Sequence, residues 1–311
     1  MSGRILVLGA AGRFGHAAAD AFRRAGWTVK SLVRPGAAQR APRDTLVIEG
    51  NALDHEALTE AARDVDVVLH ALNPPYTDWP RLALPLAYAA IAAAETTGAT
   101  LLFPGNVYNY GAGMPPVLDE NTPMRPTSRK GQLRVTIEER MREAAERGTR
   151  TIVLRAGDFY GGGRGSWFDL VVAKDIGRGR VTYPGPLEPM HEWTYLPDVT
   201  NAMVALAAVR DRLEAFETFG FPGHAVTGQQ FVDAIGRAAR RPIRTKRMSW
   251  WLIHAVRPFV PICRELSEME YLWRVPHRIA GDKLRAAIGD IPQTPLDRAV
   301  TRALHELDPA A

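Results

Sequence analysis

A chain of 311 residues, 46% hydrophobic and 23% charged, is long enough for one large domain or two unequal ones and has an ordinary globular makeup. The formal net charge of +5 is mildly basic, but there is no basic tail, low-complexity block or nucleic-acid motif, so an anionic ligand or a solvated surface excess is expected and a nucleic-acid partner is not. The lone cysteine, Cys263, excludes an intramolecular disulfide framework and a cysteine-based zinc site.

The chain enters an apolar run, Arg4 to Leu8, almost at once, which fits no signal or transit peptide and points to a cytoplasmic protein. Gly9, Gly12 and Gly15 follow, and then the alanine-rich, helix-favouring stretch Ala17 to Phe22. Strand, glycine turn and helix in this order build a dinucleotide-binding unit. Gly9 turns the chain off the strand, Gly12 lets the backbone approach a pyrophosphate, and Gly15 lets the helix sit close on the sheet. The helix start at Arg13 and Phe14 would then face the phosphates with free N–H groups and a positive dipole end.

Further strands are expected at Thr28 to Val33, Thr45 to Glu49, Asp66 to Leu72, Thr100 to Phe103 and Arg150 to Arg155. Helices are expected between them, notably Arg81 to Thr97 and Ser128 to Arg147. Such alternation predicts an α/β fold, a Rossmann-like doubly wound parallel sheet. Beyond residue 157 the alternation breaks and Gly, Pro and Trp become frequent, as in a smaller C-terminal α+β substrate lobe. The expected division is 1–157, with 191–213 returning to it, for the dinucleotide-binding domain, and 158–190 with 214–311 for the lobe. Basic residues read as scattered, apart from a cluster at Arg125, Arg129, Lys130 and Arg134. The apolar stretch Trp250 to Cys263 is too short to span a bilayer and is interrupted by Arg257, Pro258 and Pro261. Core, pocket lining or subunit contact is expected there, with a shallow interfacial anchor as the alternative.

Five segments, in order, resemble the extended, here atypical, short-chain dehydrogenase/reductase family of the NAD-dependent epimerase/dehydratase type. They are the Gly9–Gly12–Gly15 spacing, Glu49 to Asp54, Leu154 to Gly161, Trp193 to Val199 and Gly281 to Arg285. The resemblance implies that Asn51, standing where the family places an Asp, faces the adenine with Ala52. It also implies that Ala71 and Asn73 line the path of the nicotinamide ribose. The catalytic positions depart from the family. Active members carry Ser or Thr after the fifth strand, and Tyr-x-x-x-Lys on the next helix. Aligning Glu138 with the family's glutamate puts Asn106 at the serine, Lys130 at the tyrosine and Arg134 at the lysine.

Lys130 and Arg134, four apart, share a helix face. Arg134 can bond ribose hydroxyls. Lys130, beside that cation and partly desolvated, would have its pKa pushed down and could donate a proton or clamp an anionic substrate, although a solvated lysine is the competing reading. Tyr108 is the better substitute acid, with a pocket-wall role as its alternative; Asn106 can bond a substrate carbonyl without supplying a proton. The second strand ends on Arg34 with no acid nearby, and Arg13 could reach the same place, which favours NADP(H) over NAD(H), with NAD(H) as the alternative. His191 stands where nucleotide-sugar enzymes of the family place an arginine, so a sugar nucleotide is not expected. Trp250, Trp251 and Phe259 point instead to a small apolar or aromatic substrate. No metal spacing is present, and the helix pair 81–97 and 128–147 could form a homodimer contact. The leading expectation is an oxidoreductase acting on a small carbonyl or alcohol. The alternatives are a silent redox sensor or structural subunit of the NmrA-like kind and, more weakly, an epimerase or dehydratase.

Overall fold

The computed structural model describes residues 3–307. The first half alternates strands and helices: β1 (Arg4–Leu8), α1 (Arg13–Arg24), β2 (Thr28–Val33), β3 (Leu46–Glu49), α2 (His55–Ala61), β4 (Val67–His70), α3 (Trp79–Thr97), β5 (Thr100–Asn106), β6 (Val117–Leu118), α4 (Arg129–Glu146) and β7 (Thr151–Ala156). The second half is more broken: β8 (Asp158–Tyr160), β9 (Arg180–Tyr183), β10 (Met190–Tyr195), α5 (Leu196–Val209), β11 (Phe216–Gly220), β12 (His224–Thr227), α6 (Gly228–Ala239) and β13 (Arg244–Arg247). It ends with α7 (Trp250–Val256), α8 (Pro261–Ser267), β14 (Arg278–Ile279), α9 (Asp282–Ile288) and α10 (Leu296–Leu307).

Seven strands form one sheet in the order β11-β7-β5-β4-β1-β2-β3, parallel throughout. Parallel strands need crossovers that cover both faces, so the central strands are apolar without alternation: Ile5 to Leu8, Val67 to Leu69 and Ile152 to Leu154 are all buried. One face packs on α1, α5 and α9, and the other on α2, α3 and α4. Strands are added outward in one direction from β1 to β3 and in the other from β4 onward, so the winding reverses between β1 and β4, whose C-terminal ends lie at the same edge. That switch point is where open α/β sheets bind ligands.

Several boundaries differ from the sequence expectation: β4 ends at His70 rather than Leu72, and β10, expected to return to the dinucleotide-binding domain, pairs instead with β8 and β12 of the lobe. β5 runs through Pro104 to Asn106, because those residues pair with Leu154 to Ala156 of β7 and keep the backbone extended. The segment 216–220, assigned to the lobe from sequence, adds the edge strand of the large sheet by pairing with β7. Phe219 of this strand and Phe221 just after it join the core beneath α5. The remaining strands make a three-stranded sheet, β12-β10-β8, and two pairs, β13-β9 and β14-β6. Over them lies a third core, built on Tyr160, Trp193, Phe231 and Trp273 and closed by α6 and α10. Trp193 stacks on Phe231 at 4.3 Å.

Candidate active site

The glycine turn lies at the β1 terminus. Gly9 takes a left-handed φ of +84°, and its N–H donates to the Leu32 carbonyl at 3.1 Å. A Cβ on Gly15 would lie 2.3 Å from the Gly9 carbonyl oxygen, so α1 can approach this closely only with glycine there. No side chain caps α1 at Gly12, and its first turn carries no acid, which leaves the helix end open to an anion. The Ala71 backbone abuts the turn, 3.0 Å from where a Gly9 Cβ would stand.

The flanking residues are dispersed. Arg13 turns away from β2 and donates to the Gly161 carbonyl at 2.8 Å, and Phe14 packs on Phe159 at 5.3 Å. The expectation that Arg13 joins Arg34 is therefore corrected: its guanidinium is drawn across to the lobe by carbonyls 148 residues away in sequence. Arg34 stands exposed at the end of β2. Arg40, unremarked in the sequence, reaches back to the Ala11 carbonyl at 3.4 Å, and its own carbonyl meets His16 Nδ1 at 3.3 Å. It lies in an irregular segment where no motif could have flagged it. A cavity of about 840 Å³ runs from Gly12 and Arg13 past Arg40 to Arg164 and Arg302. Asn51 accepts from the Leu53 N–H at 3.1 Å and is exposed, as is Asn73, whereas Ala52 is buried.

On α4 the register rests on Glu138, which is buried and bonded to Arg155 Nη2 at 2.6 Å and Asn109 Nδ2 at 2.7 Å. Arg155 in turn donates to the Tyr110 hydroxyl at 3.0 Å, which gives Tyr110 a packing role. One helical turn before Glu138, Arg134 lays its guanidinium against the Trp79 and Phe103 rings, 4.9 and 5.0 Å away, and donates to the Pro104 carbonyl. Its Nε is buried with no acceptor, and burial lowers the guanidinium's pKa below its ordinary value. A further turn back, Lys130 lies on the same helix face but is drawn toward α8. Its buried Nζ bonds Glu265 on α8 at 2.5 Å, with Glu268 at 3.4 Å and the Tyr76 ring below it at 5.2 Å. Two carboxylates and a π-face take the ammonium's three hydrogens, so the proton-donor reading of Lys130 gives way to a structural pair. Burial pushes the Glu265 carboxyl up, and the hydrogen bond and charge of Lys130 outweigh it, holding the group below its ordinary range.

Asn106 caps the short turn after β5, its Oδ1 accepting from the Tyr108 N–H at 3.0 Å. That turn aims Tyr108 at Tyr76, and the two hydroxyls meet at 2.9 Å. Burial raises both phenols above the ordinary range, Tyr108 the further, so both keep their hydrogens at neutral pH. Opposite lies Asp158, whose charge acts on both phenols and whose Oδ2 meets His191 Nε2 at 2.9 Å. His191 Nδ1 faces the Leu272 carbonyl at 3.2 Å, and the ring stacks on Trp273 at 4.3 Å. Sealed in this way, His191 offers nothing like an arginine fork to a diphosphate. Tyr76, Asp158 and the His191 partnership escaped the sequence reading, because their association depends on β8, β10 and the 270–273 turn meeting.

The aromatic residues expected around the substrate part company. Trp250 is buried in the lobe core, whereas Trp251 and Phe259 are 73% and 85% exposed on the outer surface. No cluster of three or more metal-ligating side chains occurs among the described residues, and no helix among them is long and apolar enough to cross a membrane.

Comparison with known proteins agrees with this architecture. A relative from Streptomyces sp, 3-diazoavenalumate denitrifying reductase, is 31% identical over 218 residues, covering 65% of this chain and 71% of its own. A nucleoside-diphosphate-sugar epimerase from Pseudomonas aeruginosa superposes with a TM-score of 0.74 at 20% identity, covering 97% of this chain and 96% of its own. The UDP-glucose 4-epimerase from Bifidobacterium longum, solved with NAD+ and UDP, does so with a TM-score of 0.77 at 15% identity, covering 97% of each chain. Residues 5–219 match the sequence model of the NAD dependent epimerase/dehydratase family, and the chain belongs to that family.

Proposed function

We propose that the protein is an NADPH-dependent reductase that delivers hydride to the carbonyl carbon of a small substrate, with Tyr108 as the proton donor. The phenol pair carries this reading. Two hydroxyls hold two hydrogens, only one of which can lie between the oxygens, so the other is free for a substrate oxygen. A developing alkoxide is a stronger base than a buried phenol, and the Arg134 charge nearby favours the phenolate left behind. The Asp158–His191 pair faces the phenols and supplies acceptor oxygen to orient a substrate donor.

The residues present fit a dinucleotide. The open helix end at Gly12 to Gly15 suits the pyrophosphate, and Arg34 with Arg40 suits a 2′-phosphate. The orphaned Arg134 Nε lacks only an acceptor such as a ribose hydroxyl. When bound, the reduced dinucleotide supplies the hydride.

A second reading follows from the activity named for the Streptomyces relative and from the absence of a tyrosine at position 130. Replacing an aromatic diazonium group by hydrogen takes one hydride and releases dinitrogen, and no proton is needed at the reacting carbon. A site with Lys130 locked to Glu265 tolerates that chemistry without a family acid. NADPH consumption by Tyr108→Phe against aryl carbonyls and arenediazonium salts separates the two. Under the first reading kcat for carbonyls falls about a hundredfold with KM little changed. Undiminished carbonyl turnover removes Tyr108 as the donor, and turnover confined to diazonium salts establishes the second reading. NADPH binding with no acceptor consumed by the wild type would leave a sensor.

A further inference from the structure

Between Arg240 and Arg264 the sequence carries seven Lys or Arg residues and no Asp or Glu. Because the whole chain sums to +5, the rest of it is net negative, and this one segment carries all of the excess. The basic residues are spread along the chain, but the net excess is concentrated here. All seven, Arg240, Arg241, Arg244, Lys246, Arg247, Arg257 and Arg264, are exposed. Only Arg247 and Arg264 reach a carboxylate among the described residues, Glu188 at 3.9 Å and Glu265 at 3.3 Å.

The same segment exposes Trp251, Leu252, Phe259, Val260 and Ile262, from α7, the turn after it, and the start of α8. An apolar ridge of this kind, with Arg257 at the end of α7 and Arg264 on α8, costs free energy in water unless something covers it. The segment lies outside residues 5–219, where the family sequence match runs.

We propose that this surface docks onto an anionic lipid bilayer, with Trp251, Phe259 and Ile262 entering the interfacial layer and the arginines and Lys246 facing the headgroups. Apolar side chains gain by leaving water, and each cation gains from the negative surface potential within a Debye length. A second copy of this chain is a poor occupant, because pairing the face with itself opposes two strongly positive segments. Single-stranded nucleic acid would match the charge, but Leu252, Val260 and Ile262 offer its bases no stacking platform. The docking face is also fastened to the cleft: α8 packs on the 76–78 turn, and its Glu265 holds Lys130. A lipid-seated protein would thus keep its site close to the bilayer surface.

The test is co-sedimentation of the full-length protein with phosphatidylcholine vesicles, with and without phosphatidylglycerol. Binding is expected to the anionic vesicles, to fall steeply as salt is raised, and to weaken at least about tenfold in Phe259→Asp and in Trp251→Asp. Both side chains are solvent-facing, so the melting temperature should hold, and a second variant with Arg244, Lys246 and Arg247 replaced by Gln should lose binding through charge alone. Failure to sediment with anionic vesicles at low salt overturns the proposal. So does binding indifferent to Phe259→Asp, a dimer in light scattering that Phe259→Asp dissociates, or single-stranded RNA binding that displaces the vesicles.

Discussion

At the scale of single residues, burial decides protonation. His70, stacked on Phe103 at 5.3 Å, is pushed down to about 3 by burial and by the Arg134 charge. His277 is pushed down to about 4 by burial, with the neighbouring His191 acting in the same direction. A histidine held neutral in the fold gains protons on unfolding, so its contribution is complete above its unfolded pKa of about 6.5 and is lost as pH falls through its native value. Stability is therefore expected to fall between pH 6.5 and about 4, with at most about 3 kcal/mol of that loss from His277. Urea unfolding of His277→Gln across that range should show a shallower slope; an unchanged slope removes His277 as a source. Arg34 is argued at the same scale. Arg34→Glu should weaken NADPH binding at least about tenfold and leave NADH binding little changed, because only the former brings a 2′-phosphate. Equal losses for both dinucleotides in calorimetric titration would remove the specificity role.

Among elements, α4 and α8 meet through one buried ion pair. Removing one partner strands the other's charge away from water, which costs about 3–5 kcal/mol, whereas an apolar pair of similar volume is often neutral. Lys130→Ala leaves Glu265 with Arg129 at 3.4 Å and Arg264 at 3.3 Å, so it should lower stability by less than that, and Lys130→Met with Glu265→Leu should recover most of the loss. If Lys130→Ala melts as the wild type does, the pair contributes nothing. The glycine turn and β1, β2 and α1 were legible in the sequence because each is specified within about thirty residues, by period and by glycine position. α3 and α4 were legible to within two residues at either end, since Gly98 in the left-handed region ends one and the Ser128 side chain caps the other. What escaped were the partners each helix face meets. Residues four apart do share a face, as Lys130 and Arg134 do, but the face alone does not say that one meets Glu265 and the other Trp79.

For the whole molecule, a cofactor bound only by the folded state raises its stability by mass action, about 2.7 kcal/mol at a hundred times the dissociation constant. NADPH at saturation should therefore raise the melting temperature by several degrees, and NADH less at the same concentration, in a thermal scan; no rise with either would remove the dinucleotide reading. By itself the sequence determined six of the seven strands of the large sheet, their parallel sense and the anion-ready helix end. These are local properties of spacing and side-chain type. Only the tertiary structure decided which side chains meet. The Lys130–Glu265 bond joins residues 135 apart, the His191–Asp158 bond joins two strands of the lobe sheet, and the Tyr76–Tyr108 pair joins the turns after β4 and β5. The same holds for the cationic, apolar face of residues 240–264: its composition is written in the chain, but its exposure follows from Trp250 being the aromatic that the lobe core takes in while Trp251 and Phe259 are left outside. A side chain's chemistry is carried by the sequence, whereas its partner and its exposure are set by which elements close over it.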